Sequence, residues 1–580
     1  MNFPQENSKN KTILSCQNNK IILLDGLNEK EKEIDLFKYL LELRHKDNNL
    51  KYEFFKYFDN IANEIPHLQE AVILAGNMIL NKKTIGIIGD YDVDGTTATS
   101  MFVKYFQHVK KYMDFNYTYH IPNRFTEGYG PSLYSVNLLH NKNVNLIITV
   151  DSGTTSYKEI HLANELNIKS IILDHHLIQT EIPEATHFVN CQNSEKFQYL
   201  CGGGLAFVFI YELNKHMKNI LKNYQDFDFK NIFDLVAIST ICDFVPLIEL
   251  NRTFVYYGMK LINYKYLNTI SYLNPGIHMI LEYAFYNFNK NTYISSVDVG
   301  FAIGPYINVA GRLEDANMIV EFLTNNNKEE LEILFFKLQK LWQDRKKIQG
   351  DIIANIDISK TCKIEDKFVY VYNENIHEGI MGIIAAKLKD QHNKPSIVIN
   401  ILEEDCKGSI RSVKPFNAGE IIEIGLKENI LIKGGGHEAA GGFSLKKNKL
   451  KEFYELIKDY TQHMSINNYK EYYIDHILQI DDLNKEFYEN LQKIGPFGVN
   501  NKDFLFLFPY LVIKNIYTFS MKHMSFTFTN ITNTKNIKGI WFFTPDIIKE
   551  KLKVNHIVNI VGNIKYINDK IEIYLVDIIF

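Results

Sequence analysis

The sequence predicts an α/β protein of several domains: a parallel, doubly wound sheet, a helical connector, a second α/β unit and a C-terminal β-barrel. Three observations predict it. From residue 84 onwards short β-branched runs alternate with helix-like stretches, and three successive runs lead directly into an acid, at Asp90, Asp151 and Asp174. A second set of such runs begins at Phe368-Val369-Tyr370-Val371-Tyr372. Residues 466–580 read as short strands rich in Tyr, Phe and Ile, ending in Lys570-Ile571-Glu572-Ile573-Tyr574-Leu575-Val576.

In chain order, residues 1–50 read as a loosely ordered lead-in with a charged helix around 29–43. Apolar residues at helical spacing (Ile61, Leu68, Ala71, Val72, Met78) predict one helix over 60–80. The run 83–88 is then a buried strand, and a helix starts near Ala98. Strands follow at 145–150 and 169–173, with a helix over 156–166 between them and another over 233–240. A helical section over 227–351 carries the long amphipathic run 328–356. A second α/β unit extends from 367 to about 464. The expected division is 1–50 lead-in, 51–265 first α/β domain, 266–355 helical connector, 356–465 second α/β domain and 466–580 barrel.

At 580 residues the chain exceeds what one core serves. With 46% hydrophobic and 23% charged residues it has the composition of a soluble globular protein, and no apolar run reaches the ~18 residues of a membrane span. Residues 1–20 are polar, so no export signal is expected. The six cysteines are scattered without a Cys-x-x-Cys pair, which fits reduced thiols in the cytoplasm. A net charge of −4 does not announce a nucleic-acid partner, so any such role rests on local basic groups.

The chemistry gathers around Gly89-Asp90-Tyr91-Asp92-Val93-Asp94-Gly95. Three acids at alternating positions leave the carboxyl end of a strand, where open α/β sheets place their ligands. Taken alone, this run fits a calcium loop or a solvated acidic turn equally well. Asp151-Ser152-Gly153, Asp174-His175-His176 and Asp243 add acids and imidazoles expected on the same rim. Oxygen ligands with one imidazole favour Mn²⁺ or Mg²⁺ over a structural zinc. So many acids call for two ions sharing a carboxylate, an arrangement suited to phosphodiester cleavage.

These motifs, in this order, resemble those of the DHH phosphoesterase superfamily, and within it the RecJ exonuclease family. The resemblance runs from about residue 60 to the C-terminus. It includes Ile121-Pro122-Asn123-Arg124-Phe125-Thr126-Glu127-Gly128-Tyr129-Gly130, Cys201-Gly202-Gly203-Gly204, Gly304-Pro305-Tyr306 through Ala310-Gly311-Arg312, Gly408-Ser409-Ile410-Arg411-Ser412, Gly434-Gly435-Gly436-His437 and Pro496-Phe497-Gly498. It implies a DHH sheet, a DHH-associated α/β domain and a C-terminal OB-fold barrel. It implies two divalent cations, Mn²⁺ or Mg²⁺, held by Asp92, Asp94, Asp151, His175 and Asp243. Asp151 would bridge them. Asp90 would be a further ligand or orient a ligating water, and His176 would contact the scissile phosphate.

The resemblance also assigns substrate contacts to Arg124, Arg312, Ser409 and Arg411, with Gln343 as a weaker candidate. Arg forks and backbone near glycine suit phosphate. Tyr129 is expected either to stack on a base or block a duplex, or else to be a core tyrosine. His437, after three glycines, would reach the substrate across a cleft between two domains, or be an exposed side chain on a turn. In the barrel, Lys514, Lys522, His523 and Lys565, interleaved with Tyr517, Phe519, Phe526, Phe528, Trp541 and Phe542, would suit a basic groove with stacking rings, while the alternation of a β-barrel is expected to put most of those aromatics in the core. Two positions depart from the family pattern: Tyr306 stands where Arg is usual, and Ile376 where Trp is usual.

The implied activity is a metal-dependent 5′→3′ exonuclease on single-stranded DNA, releasing 5′-mononucleotides in recombination and repair. The alternatives are a DHH-type phosphodiesterase on short oligonucleotides or cyclic dinucleotides, and a non-catalytic DNA-binding relative. The expected partners are DNA with a free 5′ end, a single-strand-binding protein and a helicase. The expected setting is a cytoplasmic monomer with no membrane contact.

Overall fold

The computed structural model describes residues 11–17, 19–23, 36–44, 54–58, 60–178, 181–285, 291–355, 362–374, 376–466, 469–519 and 523–580. The chain separates into two compact units, each drawn from more than one stretch: residues 26–339 with 475–578, and residues 1–25 with 340–474 and 579–580.

The larger unit is built on a five-stranded parallel sheet. Its spatial order is Tyr117–His120, Ile85–Gly89, Leu146–Val150, Lys169–Asp174 and His187–Asn190. In chain order that is 2-1-3-4-5, so the direction of winding reverses between the first and third strands. The central strands are buried along their whole length, as a sheet covered on both faces requires. One face carries helices Leu133–Asn141 and Tyr157–Glu165, with Ile88, Val136, Leu139, Ile147 and Ala163 in the shared core. Helices Val93–Val109 and Gly202–Ile220 pack together on the sheet as well, and Phe233–Cys242 packs against both.

Two sequence expectations change here for local reasons. The single helix expected over 60–80 is broken into Ile61–Glu64 and Leu68–Leu80. Pro66 forces Ile65 into an extended conformation (ψ 111°), and His67 turns left-handed at φ 64°. The helix expected to begin near Ala98 begins at Val93 instead, because Asp92 caps it by accepting a hydrogen bond from Gly95 N at 3.0 Å.

The same unit contains the barrel. Strands Phe506–Phe519, His523–Thr529, Asn536–Trp541, Lys570–Ile579 and Ile557–Ile567 follow one another, and the last pairs back with the first. The ring order 1-2-3-5-4-1, with the third and fifth strands parallel, is that of an OB-fold. Its first strand runs 14 residues, not the short length expected. Register shifts at Phe508/Leu511 and Ile513/Asn515 let that one strand bend and pair with two neighbours.

The smaller unit holds a six-stranded sheet in the order Leu431–His437, Ala440–Lys446, Asp405–Arg411, Ser396–Leu402, Val369–Asn373 and Cys362–Ile364. Helices Ala418–Lys427 and Leu450–Thr461 cover one face through Ile421, Ile422, Phe453 and Ile457. Helix Met381–His392 covers the other through Met381, Ile384 and Ala385. The lead-in is more ordered than expected: Lys11–Leu14 and Lys20–Leu23 form a sheet with Glu471–Ile474. Of the helix expected over 29–43, residues 29–35 lie outside the described residues, and Leu36–Arg44 is helical. Cys16, Cys191, Cys201, Cys242 and Cys406 are not joined in disulfides.

Candidate metal and phosphodiester site

The first and third strands of the parallel sheet end side by side at the switch of winding, and each delivers an acid there. Asp90 follows the first and Asp151 the third, both buried. Asp151 takes a left-handed backbone (φ 59°), followed by Gly153 at φ 114°. Helix Gly202–Ile220 approaches so closely that a Cβ on Gly202 would meet Asp151 Cβ at 2.6 Å. The sharp turn therefore aims the Asp151 carboxylate across the rim.

Asp94 lies in the first turn of helix Val93–Val109, and its oxygens are fixed from two other helices. Gly202 N donates to Oδ2 at 2.7 Å and Gly203 N to Oδ1 at 2.8 Å, while the Ser239 hydroxyl also donates to Oδ1. Two helix-terminal amides that lack an intrahelical acceptor and hold a carboxylate are the usual anion arrangement at a helix N-terminus. Asp243 caps the C-terminus of helix Phe233–Cys242, the end at which the helix dipole disfavours an anion.

His175 gathers these groups. Its Nε2 lies 3.1 Å from Asp151 Oδ1, 3.7 Å from Asp243 Oδ2 and 3.8 Å from Asp94 Oδ2. Potential ligand atoms of Asp90, Asp92 and Asp151 fall within 4.8 Å of one another, as do those of Asp151, His175 and His176. Asp151 belongs to both sets. His176 is the exposed member, its side chain 46% accessible. Its Nδ1 donates to Asp174 Oδ1 at 2.7 Å, and the backbone amides of His175 and His176 donate to the same oxygen. Thr154 N donates to Asp174 Oδ2. Burial opposes the charge of both partners. The hydrogen bond between them outweighs it, raising His176 to about 9 and holding Asp174 well below the usual carboxylate range. His175, by contrast, is lowered by burial.

The donor set fits divalent cations. Burial, reinforced by neighbouring carboxylates, pushes Asp90, Asp92, Asp151 and Asp243 above the usual carboxylate range. Asp90 Oδ1, His175 Nε2 and Asp243 Oδ2 are buried without a hydrogen-bond partner. Carboxylates that repel one another and inward atoms left unpartnered are what hard cations resolve. The Cys201 thiol is close to Asp94 and Asp243, but it caps its own helix by accepting from Gly204 N, and burial pushes it upward.

Two expected substrate residues join this cluster. The Tyr129 hydroxyl lies 3.2 Å from Asp151 O and 3.1 Å from the His176 ring nitrogens, and Arg124 stacks over the Tyr91 ring at 4.0 Å. Tyr129 is 48% exposed, which removes the core reading. Arg312 lies in the last turn of helix Ser296–Leu313, whose Gly311 packs against the Tyr91 carbonyl, where a Cβ would come within 2.3 Å. Gln343 is exposed on helix Lys328–Asn355.

In the smaller unit, Ser409, Arg411 and His437 share one end of the sheet. Arg411 and His437 both pair in register with Ala440, one strand apart on either side. Arg411 Nη1 donates to Ser409 Oγ at 3.0 Å, and its guanidinium lies so close to Gly382 that a Cβ there would meet Nη2 at 2.7 Å. The glycines before His437 are exposed.

Other expectations shift. Lys565 is not in a groove: it donates to Ser295 Oγ and Asp298 Oδ2 and is mostly buried. Phe526, Phe528 and Trp541 are core, as expected of most of the barrel's aromatics, whereas Tyr517 and Phe542 are exposed; Lys522 lies outside the described residues. Tyr306 is buried beside Tyr283 and Phe335, so the departure there sits in an aromatic core. Ile376 is likewise buried. Asp174 serves as a positioning group for His176, a role its motif does not reveal, and nothing in the sequence points to Ser239.

The chain matches three family models in succession: the DHH family N-terminal domain over 84–240, the DHHA1 domain over 365–463 and the RecJ OB domain over 474–570. It is 31% identical over 460 residues to the single-stranded-DNA-specific exonuclease RecJ of Escherichia coli K12, covering 75% of this chain and 76% of that one. It shares its fold with RecJ from Thermus thermophilus in complex with Mn²⁺ (TM-score 0.70, 22% identity, 89% of this chain and 72% of that one). A second structure, exonuclease RecJ bound to manganese, matches at TM-score 0.56 and 25% identity over 69% of this chain and 96% of that one. Among the described residues, no helix is long and apolar enough to cross a membrane. With that identity over three quarters of both chains, and the three domain models in register with its folded parts, the chain belongs to the RecJ family.

Proposed function

We propose that this chain hydrolyses single-stranded DNA from its 5′ end to 5′-mononucleotides, using two Mn²⁺ or Mg²⁺ ions. The observation that carries the reading is the convergence of Asp90, Asp92, Asp94, Asp151, Asp243 and His175 with buried ligand atoms left unpartnered. In this reading Asp92, Asp94, Asp151, His175 and Asp243 would hold the ions, with Asp151 common to both, and Asp90 would complete the set or orient a ligating water. When bound, such ions supply an activated water and stabilise charge on a phosphodiester oxygen.

The chain's own groups do the rest. His176, exposed beside the acids and raised to about 9 by Asp174, keeps its proton at neutral pH and offers positive charge to a phosphate. Tyr129 buttresses that imidazole, and Arg124, steadied on Tyr91, adds a second cationic contact. Ser409, Arg411 and His437 supply further phosphate contacts, Arg411 being suited to a terminal 5′-phosphate. Arg312 and Gln343 are assigned to substrate contacts on the resemblance alone. The family relationship supports work in recombination and repair as a cytoplasmic monomer, alongside a single-strand-binding protein and a helicase.

The test is digestion of end-labelled single-strand, duplex and dinucleotide substrates with Mn²⁺, Mg²⁺ or chelator. Mononucleotide release from the 5′ end of single strands, dependent on the ion, is expected. Cleavage of dinucleotides alone, or none with any ion, would overturn the reading.

A further inference from the structure

We infer that Glu127 is a positioning residue, whose carboxylate ties down the segment 121–130 and so holds Arg124 and Tyr129 at the acid–imidazole cluster. The inference rests on the reading of that cluster as a phosphodiester-cleaving site.

Glu127 sits in a surface loop, yet its side chain is only 7% accessible. Its oxygens accept from three separate stretches of chain. Asn123 N, at the start of the loop, donates to Oε1 at 2.9 Å. Ser132 Oγ, the cap of helix Leu133–Asn141, donates to Oε2 at 2.6 Å. His120 Nε2, at the end of strand Tyr117–His120, lies 3.1 Å from both oxygens. A carboxylate accepting several such bonds makes each stronger than a neutral pair.

The loop closes on itself around this group. Asn123 O accepts from Glu127 N at 2.8 Å and Gly128 N at 3.2 Å, and Asn123 Oδ1 accepts from Phe125 N at 2.9 Å. Gly128 and Gly130, at φ +93° and +71°, turn the backbone where other residues are strained. Tyr129 stands between those glycines, its hydroxyl against Asp151 O and the His176 ring. Its ring is edge-on to both His176, at 5.5 Å, and Tyr91, at 6.4 Å, and Arg124 stacks on that same Tyr91. The two side chains that reach the cluster therefore leave a loop whose shape one buried carboxylate sets, without touching the cluster itself.

Without Glu127 the loop must order itself on each binding event, a cost that falls on substrate binding more than on the chemical step. Glu127→Ala is expected to raise KM for 5′-phosphorylated single-stranded DNA about tenfold while kcat falls less than about threefold. Glu127→Gln, which keeps an acceptor for Asn123 or Ser132, is expected to recover most of that KM. His120→Phe, which removes the imidazole 3.1 Å from both Glu127 oxygens without disturbing the helix cap, is expected to raise KM likewise, and it serves if Glu127→Ala does not fold. The inference is overturned if KM stays at the wild-type value in the folded variants, or if kcat falls as steeply as KM rises. If the wild type itself fails to cleave DNA with Mn²⁺, the site reading falls instead.

Discussion

Asp174 and His176 form a hydrogen-bonded pair, Oδ1 to Nδ1 at 2.7 Å, in which the acid is buried and the imidazole faces outward. The acid is itself held by three backbone amides, so the ring is fixed by a group that cannot swing away.

Asp174→Asn should therefore lower the His176 pKa from about 9 toward its ordinary value and move the alkaline limb of the pH–rate profile acidward. At pH 8 kcat should fall by about tenfold or more. The stability sign follows. Because the folded imidazole lies above 6.5 and the acid below the usual carboxylate range, the pair's contribution is full between about pH 4 and 6.5, falls away in stronger acid, and is lost as pH rises through about 9. Thermal melts of wild type and variant should differ most between about pH 4 and 6.5 and least above pH 9. A pH–rate profile identical to the wild type would refute the pairing's role.

Asp151→Asn removes the carboxylate common to two groups of candidate ligands yet suits the left-handed backbone at this position, which Asn tolerates. Turnover should drop by about a thousandfold. In chelator the variant should melt higher than the wild type, because burial and neighbouring acids raise the Asp151 pKa and its charge opposes folding at neutral pH. For a unit of this size each kcal/mol is worth about 1 °C. A lower melting point in chelator, or retained turnover, would count against the assignment.

Gly203→Ala probes the tie between helices. The added Cβ would meet Ser239 Oγ at 2.1 Å and Asp94 Oδ1 at 3.0 Å. Ser239 is fixed within a buried helix, so the displacement should fall on Asp94. We expect a loss of about 1–3 kcal/mol in stability and a weakened melting shift on adding Mn²⁺. Differential scanning calorimetry with and without the ion reads both.

Arg411→Ala should harm cleavage of strands carrying a 5′-phosphate more than strands with a 5′-hydroxyl. Arg411→Lys should restore charge but not the planar fork, recovering only part of the difference. Equal losses on both substrates, measured as kcat/KM, would remove Arg411 from phosphate recognition.

Much of this was written locally in the chain. Apolar strand runs ending in Asp90, Asp151 and Asp174 predict a parallel sheet and its acid-bearing rim, because a strand buried on both faces must be apolar throughout and can turn polar only where it emerges. Helix ends were less legible, since Asp92 competes for Gly95 N and starts the helix five residues before its first apolar face, while Pro66 breaks another that periodicity alone makes continuous. Only the tertiary structure decided how the acids are held. Ser239 reaches Asp94 across 145 residues of chain, Gly202 and Gly203 present amides that no side chain advertises, and Lys565 spends its charge on Asp298. Partners so distant in sequence leave no periodic trace, because hydrogen-bond complementarity is a property of positions in space, which packing of the helices sets.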